Sequence, residues 1–402
     1  MTEPTPVPPA AGPPPAPEPV PLYGPRFQND PAELYREMRR QHGPVAPVLL
    51  DGDVPAWLVL GYREVHYVTG NPKLYARDPR RWNAWNRIPP DWPLLTLVGY
   101  QPSVMCAEGT EHQRRSEAVS DALGAVDQYE LRSFCEQVAD QRIDAFAGSG
   151  EADLVSDYAD QIPLPVVARL LGLAESETAG VVQDMNASID PNADALAAYE
   201  RTRTKMTRLV ELRREHPTSD VASRLVAHPA GLSDREIVED IQVVMGAGQL
   251  PTAYWISNTL RLMLTDDRFA VTLAGGRSSV GQALNEVLWA DTPTQNMAGR
   301  FAVRDTQLGG HHIKAGDLLI LGLAAANSDP QVRPDSYPGS GDNQAHMSFS
   351  HGDHRCPHPA QEIAEVIAEI AIEVLLDRLP DVTLAVADEA LVWRASPWMR
   401  GL

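Results

Sequence analysis

One short segment in the last fifth of the chain constrains its structure more than any other. It runs from Phe349 to Cys356 with the sequence FSHGDHRC, so that a single cysteine comes directly after a His-Gly-Asp turn. An apolar run at helical spacing, residues 363–376, follows soon afterwards. At the N-terminal end of a helix, the backbone N–H groups and the helix dipole favour negative charge. The segment can therefore present Cys356 as a thiolate.

The sequence leaves two interpretations of this cysteine open. Most free cysteines are small buried hydrophobic residues, and one cysteine near one histidine would by itself favour that interpretation. A thiolate is also the axial ligand that pushes electron density onto a haem iron and favours O–O cleavage. The choice between a structural cysteine and a metal ligand depends on the rest of the chain.

Charge and cysteine content exclude several classes of protein. The formal net charge of the 402 residues is −20, which argues against binding to nucleic acid. The three cysteines, Cys106, Cys135 and Cys356, are far apart and odd in number, which indicates neither a disulfide framework nor a zinc cluster. Neither a membrane-spanning apolar run nor a signal-peptide pattern is visible. We expect a cytoplasmic protein that does not bind a membrane.

The hydrophobic periodicity predicts a mainly α-helical protein with small β-sheets. The Pro-rich residues 1–22 are expected to be a disordered tail, and residues 23–402 a single folded unit. Turns that contain Pro, Gly or Asp separate the predicted helices and strands. The sequence predicts helices at 30–40, 62–69, mostly throughout 111–264, and 359–379, and strands at 45–50, 56–60, 311–314 and 318–321.

Residues 349–358 resemble the haem loop of the cytochrome P-450 superfamily, F-G-x-G-x-H/R-x-C-x-G. Matching positions are Phe349, Gly352, His354 and Cys356. Two further segments with family-like sequences are PLPVVARLLGL at 163–173 and AAANSDP at 324–330. The family's first loop glycine is replaced by serine at position 350, and the glycine after the cysteine by histidine at position 358. That histidine either crowds the porphyrin ring or supplies a competing ligand, or else it turns outward or is accommodated by a local shift.

The resemblance extends from about Tyr23 to the C-terminus and implies the cytochrome P-450 fold with haem b as cofactor. It further implies a soluble bacterial haem-thiolate monooxygenase, which inserts one O2-derived oxygen atom into a small apolar substrate. A ferredoxin and its reductase would supply the electrons.

The family pattern also implies a set of cofactor-binding residues. Cys356 would be the iron ligand, and Phe349 would lie in the haem loop. His112, Arg300 and His354 match positions that bind the haem propionates. The family usually has an arginine four residues after the first of these histidines, where this chain has serine. Arg115 lies three residues after it and can share its helix face.

The predicted central helix departs from the family pattern A-G-x-D/E-T-T. Ala247 and Gly248 match, and they would leave room for oxygen beside the iron. Leu250 and Pro251 replace the acid and the alcohol that organise proton delivery, and neither side chain can donate a proton. Proline should also kink the helix. Thr252 survives at the last position.

Unless other side chains deliver protons, these changes imply slow or uncoupled turnover, protonation assisted by the substrate, or use of peroxide. We expect Thr252 or Gln249 to act as the substitute donor. We further expect the substrate to contact Met245, Ala247, Gly248 and residues 296–299.

A second departure concerns the family's E-x-x-R motif, which is Glu286-Val287-Leu288-Trp289 in this chain. A buried glutamate without its cationic partner is costly to keep charged. Glu286 is expected to find another donor, such as the Trp289 indole N–H, or to become neutral. An actinobacterial subgroup of the superfamily has tryptophan at this place, and the chain resembles that subgroup.

Two functions remain open from the sequence. The first is the monooxygenase described above. The second is a haem-binding or non-catalytic partner protein that keeps the fold and has lost oxygenase chemistry. Cys356, Arg300 and His354 favour haem binding in either case, whereas the missing acid–alcohol pair weakens the oxygenase interpretation.

Overall fold

A computed structural model describes residues 18–89, 92, 94–189, 194–266, 269, 278–334, 343–394 and 396–402. Most of the predicted N-terminal tail, residues 1–17, lies outside these ranges. Val20–Pro21 form a strand that pairs in parallel with Val48 and Leu49, and Leu22 is buried. The folded part therefore begins before Tyr23, earlier than the sequence predicted, because the last residues of the Pro-rich segment can add a strand to the edge of a sheet.

The protein is mainly helical, as predicted. Within the described residues, the helical region expected at 111–264 divides into seven α-helices, and two short helical turns at Leu154–Tyr158 and Ala159–Gln161 lie between the second and the third of them. The described α-helices are α1 (Pro25–Asn29), α2 (Pro31–His42), α3 (Tyr62–Thr69), α4 (Leu95–Val98), α5 (Gly109–Gly124), α6 (Gln128–Phe146), α7 (Pro163–Leu171), α8 (Glu175–Ile189), α9 (Ala195–Glu215), α10 (Val221–Ala227), α11 (Asp234–Thr265), α12 (Ser278–Ala290), α13 (Leu323–Asn327) and α14 (His358–Arg378).

Two small sheets accompany the helices. A six-stranded sheet has the order β1-β2-β3-β8-β5-β4, and β6 pairs with β7 in a separate antiparallel pair. The predicted strands at 311–314 and 318–321 therefore belong to different sheets. The strands are β1 (Val20–Pro21), β2 (Val45–Leu50), β3 (Val54–Val59), β4 (Tyr75–Ala76), β5 (Asn296–Ala302), β6 (Thr306–Leu308), β7 (His311–Ile313) and β8 (Leu318–Gly322).

Helix α11 is the centre of the helical part and packs against α7, α9, α12 and α14. Its start is fixed by a capping box, in which the Ser233 side chain accepts from the Glu236 N–H and the Glu236 carboxylate accepts from the Ser233 N–H. Pro251 lies inside the helix, which continues past it to Thr265. Within the described residues, no helix is long and apolar enough to cross a lipid bilayer.

Candidate functional site

A cavity of about 930 Å³ lies between α11, the first turns of α5, strand β5 and the segment that contains Cys356. Its volume is in the upper part of the range that binds small molecules and cofactors. Apolar residues of α7, such as Val167 and Leu171, line one wall. Cys356, Phe349 and His354 line the wall formed by the cysteine loop.

The cysteine loop is held by a tight turn. The Cys356 N–H donates a 3.0 Å hydrogen bond to the Phe349 carbonyl, and Gln361 Nε2 donates a 2.6 Å bond to the Cys356 carbonyl. Gly352 has a φ of +76°, and a Cβ atom there would lie 2.2 Å from the Thr69 carbonyl oxygen. Only glycine therefore fits this turn, which explains the match to the family at position 352.

Burial raises the pKa of the Cys356 thiol to about 12. Desolvation disfavours the charged form, and this effect outweighs the stabilisation by the helix N-terminus that the sequence suggested. The protein alone therefore keeps Cys356 as a neutral thiol. A bound metal ion would be needed to hold the thiolate, because metal coordination deprotonates a thiol.

Two histidines face each other beside the loop. The rings of His112, in the first turn of α5, and His354 have centroids 3.8 Å apart. Burial and the positive charges of Arg77 and Arg300 lower the pKa of His112, against an opposing effect of the Asp353 carboxylate. Burial, His112 and the same two arginines lower the pKa of His354 to about 2. Both imidazoles are therefore neutral, and each can donate one hydrogen bond.

Arg300, on β5, is a fully buried cation. It is 1% exposed; its Nη1 donates to the Gly299 carbonyl at 3.2 Å, and its Nη2 has no hydrogen-bond partner. Burial and the charge of Arg77 hold the pKa of Arg300 well below its usual range. A buried guanidinium without an anion is unfavourable, so this position is built to receive a negatively charged group.

These residues fit a haem group. A thiol lies at the cavity wall as a candidate axial ligand, and the walls of the cavity are largely apolar. Arg300 is not itself among the described lining residues, but it lies between two of them, Gly299 and Phe301, and its Nη2 is an unpartnered donor for a carboxylate. Phe349 packs edge-to-face on Trp255 of α11, with ring centroids 5.9 Å apart, and so ties the cysteine loop to the central helix.

The structure corrects the placement of Arg115. Its guanidinium binds both carboxylate oxygens of Asp240 on α11, at 2.6 and 2.9 Å, and it is not among the described residues that line the cavity. Arg115 was expected at the cofactor because it lies near His112 in sequence. A buried acid on the neighbouring helix holds it instead, since Asp240 is itself fully buried and needs a cation.

The structure brings some of the predicted α11 residues to the cavity and excludes others. Ala247, Gly248 and Thr252 line it, together with Pro251. Gln249 does not, because its Nε2 donates a 2.7 Å hydrogen bond to Asn186 Oδ1 on α8. The expectation that Gln249 is a substitute proton donor at the cavity is therefore corrected.

Two other expectations near α11 are also revised. Met245 was expected to contact substrate, but it is fully buried in the helical core and is not among the described residues that line the cavity. Gly248 was expected to leave room beside the iron. A Cβ atom at Gly248 would lie 3.0 Å from the Val167 side chain, so its small size also allows α7 to approach α11 closely.

The imidazole of His358 turns outward. Its side chain is 72% exposed, and its Nδ1 lies 3.2 Å from a carboxylate oxygen of Glu362 one turn later. The residue borders the cavity only near the start of α14. The interpretation of His358 as a competing ligand is therefore not supported by its position.

Glu286 has a cationic partner that the sequence pattern did not reveal. Arg333, in the segment after α13, forms an ion pair with the Glu286 carboxylate, and both side chains are largely buried. The Trp289 indole N–H instead donates a 2.7 Å hydrogen bond to the Asn343 carbonyl. Trp289 is therefore not the donor that Glu286 finds, whereas the expectation that Glu286 finds another donor is confirmed.

One residue of the site was missed altogether by the sequence analysis. Arg77 follows β4, is buried, and lines the cavity close enough to His112, His354 and Arg300 to influence their pKa values. Its local sequence, YARDP, carries no signal of a buried arginine. Only the fold shows that residue 77 approaches β5.

Comparison with known proteins agrees with this arrangement. The chain is 28% identical over 94% of its length to cytochrome P450 107B1 of Saccharopolyspora erythraea, and 26% identical over 89% of its length to 2-hydroxy-5-methyl-1-naphthoate 7-hydroxylase of Streptomyces carzinostaticus. The matched regions cover 94% and 90% of those proteins. No family model matches the chain.

A solved structure, CYP154C4 from Streptomyces sp. W2061, superimposes with a TM-score of 0.84 at 26% identity, covering 95% of this chain and 96% of that one. The relatives, the fold and the cysteine loop agree on one family, although none of these comparisons tests the tryptophan-containing subgroup. The chain is therefore similar, in sequence and in fold, to bacterial cytochrome P450 proteins, and this similarity implies haem b as the cofactor.

Proposed function

We propose that this protein is a haem-thiolate monooxygenase that inserts one O2-derived oxygen atom into a small apolar molecule, with electrons from a ferredoxin and its reductase. The observation that carries the proposal is Cys356 at the wall of a large apolar cavity, with the buried and anion-free Arg300 nearby. The named relatives are hydroxylases or P450 enzymes, which supports a monooxygenase at the level of the family.

When bound, a thiolate-ligated haem supplies the activation of O2 and the transfer of one oxygen atom. The chain's own residues have simpler roles. Cys356 would hold the iron, and Arg300, His112 and His354 would hold the carboxylates. The apolar wall from α7 would exclude water and orient an apolar substrate. One relative is named as a naphthoate hydroxylase, so fused aromatic rings are a reasonable first class of substrate to test.

We propose that Thr252 is the side chain that positions a proton-carrying water. It is 2% exposed and lines the cavity, whereas Gln249 is held by Asn186. Pro251 has no N–H, so the carbonyl of Ala247 loses its usual helical donor. A water molecule could then bond both this carbonyl and the Thr252 hydroxyl, in place of the family's acid–alcohol pair.

The alternative is a haem-binding protein without oxygenase activity. Leu250 and Pro251, which cannot take part in proton transfer, are the observation that favours it. The two candidates agree on the haem site and differ only in chemistry. A purified protein that binds haem, accepts electrons and yields hydrogen peroxide without any oxidised product would support the alternative.

The first experiment is the absorption spectrum of the dithionite-reduced protein with carbon monoxide, for wild type, Cys356→Ala and Cys106→Ala. Cys106 is a matched control, since both cysteines are partly buried and line the cavity. A red-shifted Soret band that persists in Cys106→Ala and disappears in Cys356→Ala is expected. A shorter-wavelength band in the wild type would contradict thiolate ligation, and absence of haem would overturn the proposed function.

A further inference from the structure

Arg77 is fixed in an unusual way for a buried cation. Its Nε donates to the Met105 carbonyl, and its Nη1 donates to the carbonyls of Ala298 and Gly299, all at 3.0 Å. These three bonds hold the planar guanidinium rigidly. Nη2 makes no hydrogen bond within the described part of the chain, and the residue lines the cavity. One face of a preorganised donor group is therefore left for a ligand.

Arg77 lies close to a second buried arginine, Arg300, whose pKa it lowers. The ionisable group that acts on Arg77 itself is the thiol of Cys106, and no ion pair of Arg77 or Arg300 occurs among the described residues. Two guanidinium groups are thus buried close together without a carboxylate. Such an arrangement is unfavourable by itself and becomes favourable when anions bind between them.

The cofactor fixes how many carboxylates need a cationic partner in the protein. Haem b carries two propionates, and the family provides one arginine on β5 and another on the helix that begins near His112. In this chain the second arginine is absent, because Ser116 occupies its position and Arg115 is held by Asp240. The helix therefore leaves one carboxylate without a cation.

We infer that Arg77 supplies this missing cation and binds a haem carboxylate jointly with Arg300. The inference rests on haem as the cofactor, and not on oxygenase activity. The competing explanation is that Arg77 is only a structural strut that joins the loop at Met105 to β5. Both explanations predict weaker haem binding when Arg77 is removed, so the test must separate a charge effect from a general loss of order.

Esterification of the haem provides that separation, because haem dimethyl ester has the same ring but no carboxylate charge. The rate of transfer of haem, or of its dimethyl ester, to excess apomyoglobin is measured for wild type, Arg77→Gln and Arg115→Gln. Arg77→Gln is expected to release haem about 10- to 100-fold faster than wild type, as for loss of a hydrogen bond to a charged group. It should release the dimethyl ester at nearly the wild-type rate.

Arg115→Gln is the matched control, since Arg115 is equally buried and is paired with an acid of the protein. It should accelerate release of haem and ester by the same factor. An equal factor for both ligands in Arg77→Gln would show that Arg77 is a strut and overturn the inference. Should Arg77→Gln fail to fold, Arg77→Lys replaces it. Lysine keeps the charge and loses the planar fork, so release of haem should accelerate more than release of the ester.

The outcome is independent of the proposed activity. Transfer of the cofactor requires bound haem and no turnover, so a non-catalytic haem protein would give the same answer. Loss of haem from the wild type would instead contradict the proposed function directly.

Discussion

The segment around Glu286 and the segment 249–252 of α11 have each lost side chains of the family pattern. The two segments differ in whether another residue takes over the lost role. Near Glu286 the family's arginine is replaced by Trp289, and another cation, Arg333, reaches the carboxylate from a separate segment. On α11 the acid and the alcohol are replaced by apolar residues, and Thr252 remains as the hydroxyl from this segment that lines the cavity.

The difference reflects what each pair must do. An ion pair that holds two elements together needs opposite charges in contact, and the cation can come from any segment that passes nearby. Proton delivery requires a donor within hydrogen-bond distance of one fixed point. A structural role is therefore easier to move to a new position in the chain than a catalytic one, and the following predictions test this contrast.

The largest effect is expected from Arg333→Met. Removal of Arg333 breaks a largely buried ion pair with Glu286, which should lower the free energy of unfolding by about 3–5 kcal/mol. The companion variants are Glu286→Gln and the double variant, measured by denaturant unfolding. We expect the double variant to be more stable than Arg333→Met alone, because the uncompensated charge is then absent. Additive losses would show that the two residues do not act as a pair.

The second prediction restores the missing catalytic groups. Leu250→Glu combined with Pro251→Thr returns the family's acid–alcohol pair to α11, and the fraction of reducing equivalents that appears as oxidised product should rise about tenfold or more. The product and hydrogen peroxide are quantified against consumption of the nicotinamide cofactor. Leu250→Gln with Pro251→Thr serves as control, since it restores the helix N–H without the acid. An equal gain in the control would show that the acid at position 250 is not needed, and that replacement of the proline by threonine is sufficient.

The third prediction concerns the hydroxyl that remains. Thr252→Ala should lower coupling several-fold, because it removes the side-chain donor of this segment that lines the cavity. Gln249→Ala should leave coupling unchanged, because its amide bonds Asn186 rather than the cavity. Unchanged coupling in both variants would contradict any role for this part of α11 in proton delivery. Loss in Gln249→Ala alone would show that its side chain reorients when substrate binds.

The sequence predicted the helical class and most of the elements near the site, because hydrophobic periodicity and capping residues act locally. Asp30, for example, accepts a 2.9 Å bond from the Glu33 N–H and starts α2 where predicted. The turn of the cysteine loop could likewise be predicted from the sequence. Its Gly352 has a positive φ, and a Cβ atom at this position would clash with the Thr69 carbonyl.

The partners of buried charges could not be predicted in the same way. Arg77, Arg115 and Arg333 each reach atoms more than 25 residues away, at Met105, Asp240 and Glu286 respectively. Their destinations are set by how helices and strands cross, which a local pattern does not encode. The sequence identified the cysteine loop and the positions at which the chain departs from the family motifs. It gave no means to identify which cation would replace a lost one.

The smallest effect is expected at a third departure, Ser350, where the family has glycine. Its φ of 61° lies in the left-handed region, and its Oγ is buried without a hydrogen-bond partner. Ser350→Gly should therefore stabilise the haem-loaded protein, by about 0.5–1 kcal/mol after the entropy of an unfolded glycine is included. Thermal unfolding at equal haem occupancy provides the measurement. Gly352→Ala is the opposing control, because its Cβ would meet the Thr69 carbonyl and should destabilise the loop. A loss of stability in Ser350→Gly would mean that the serine hydroxyl bonds the cofactor or water. A new hydrogen bond would then compensate for the replacement of the family's glycine.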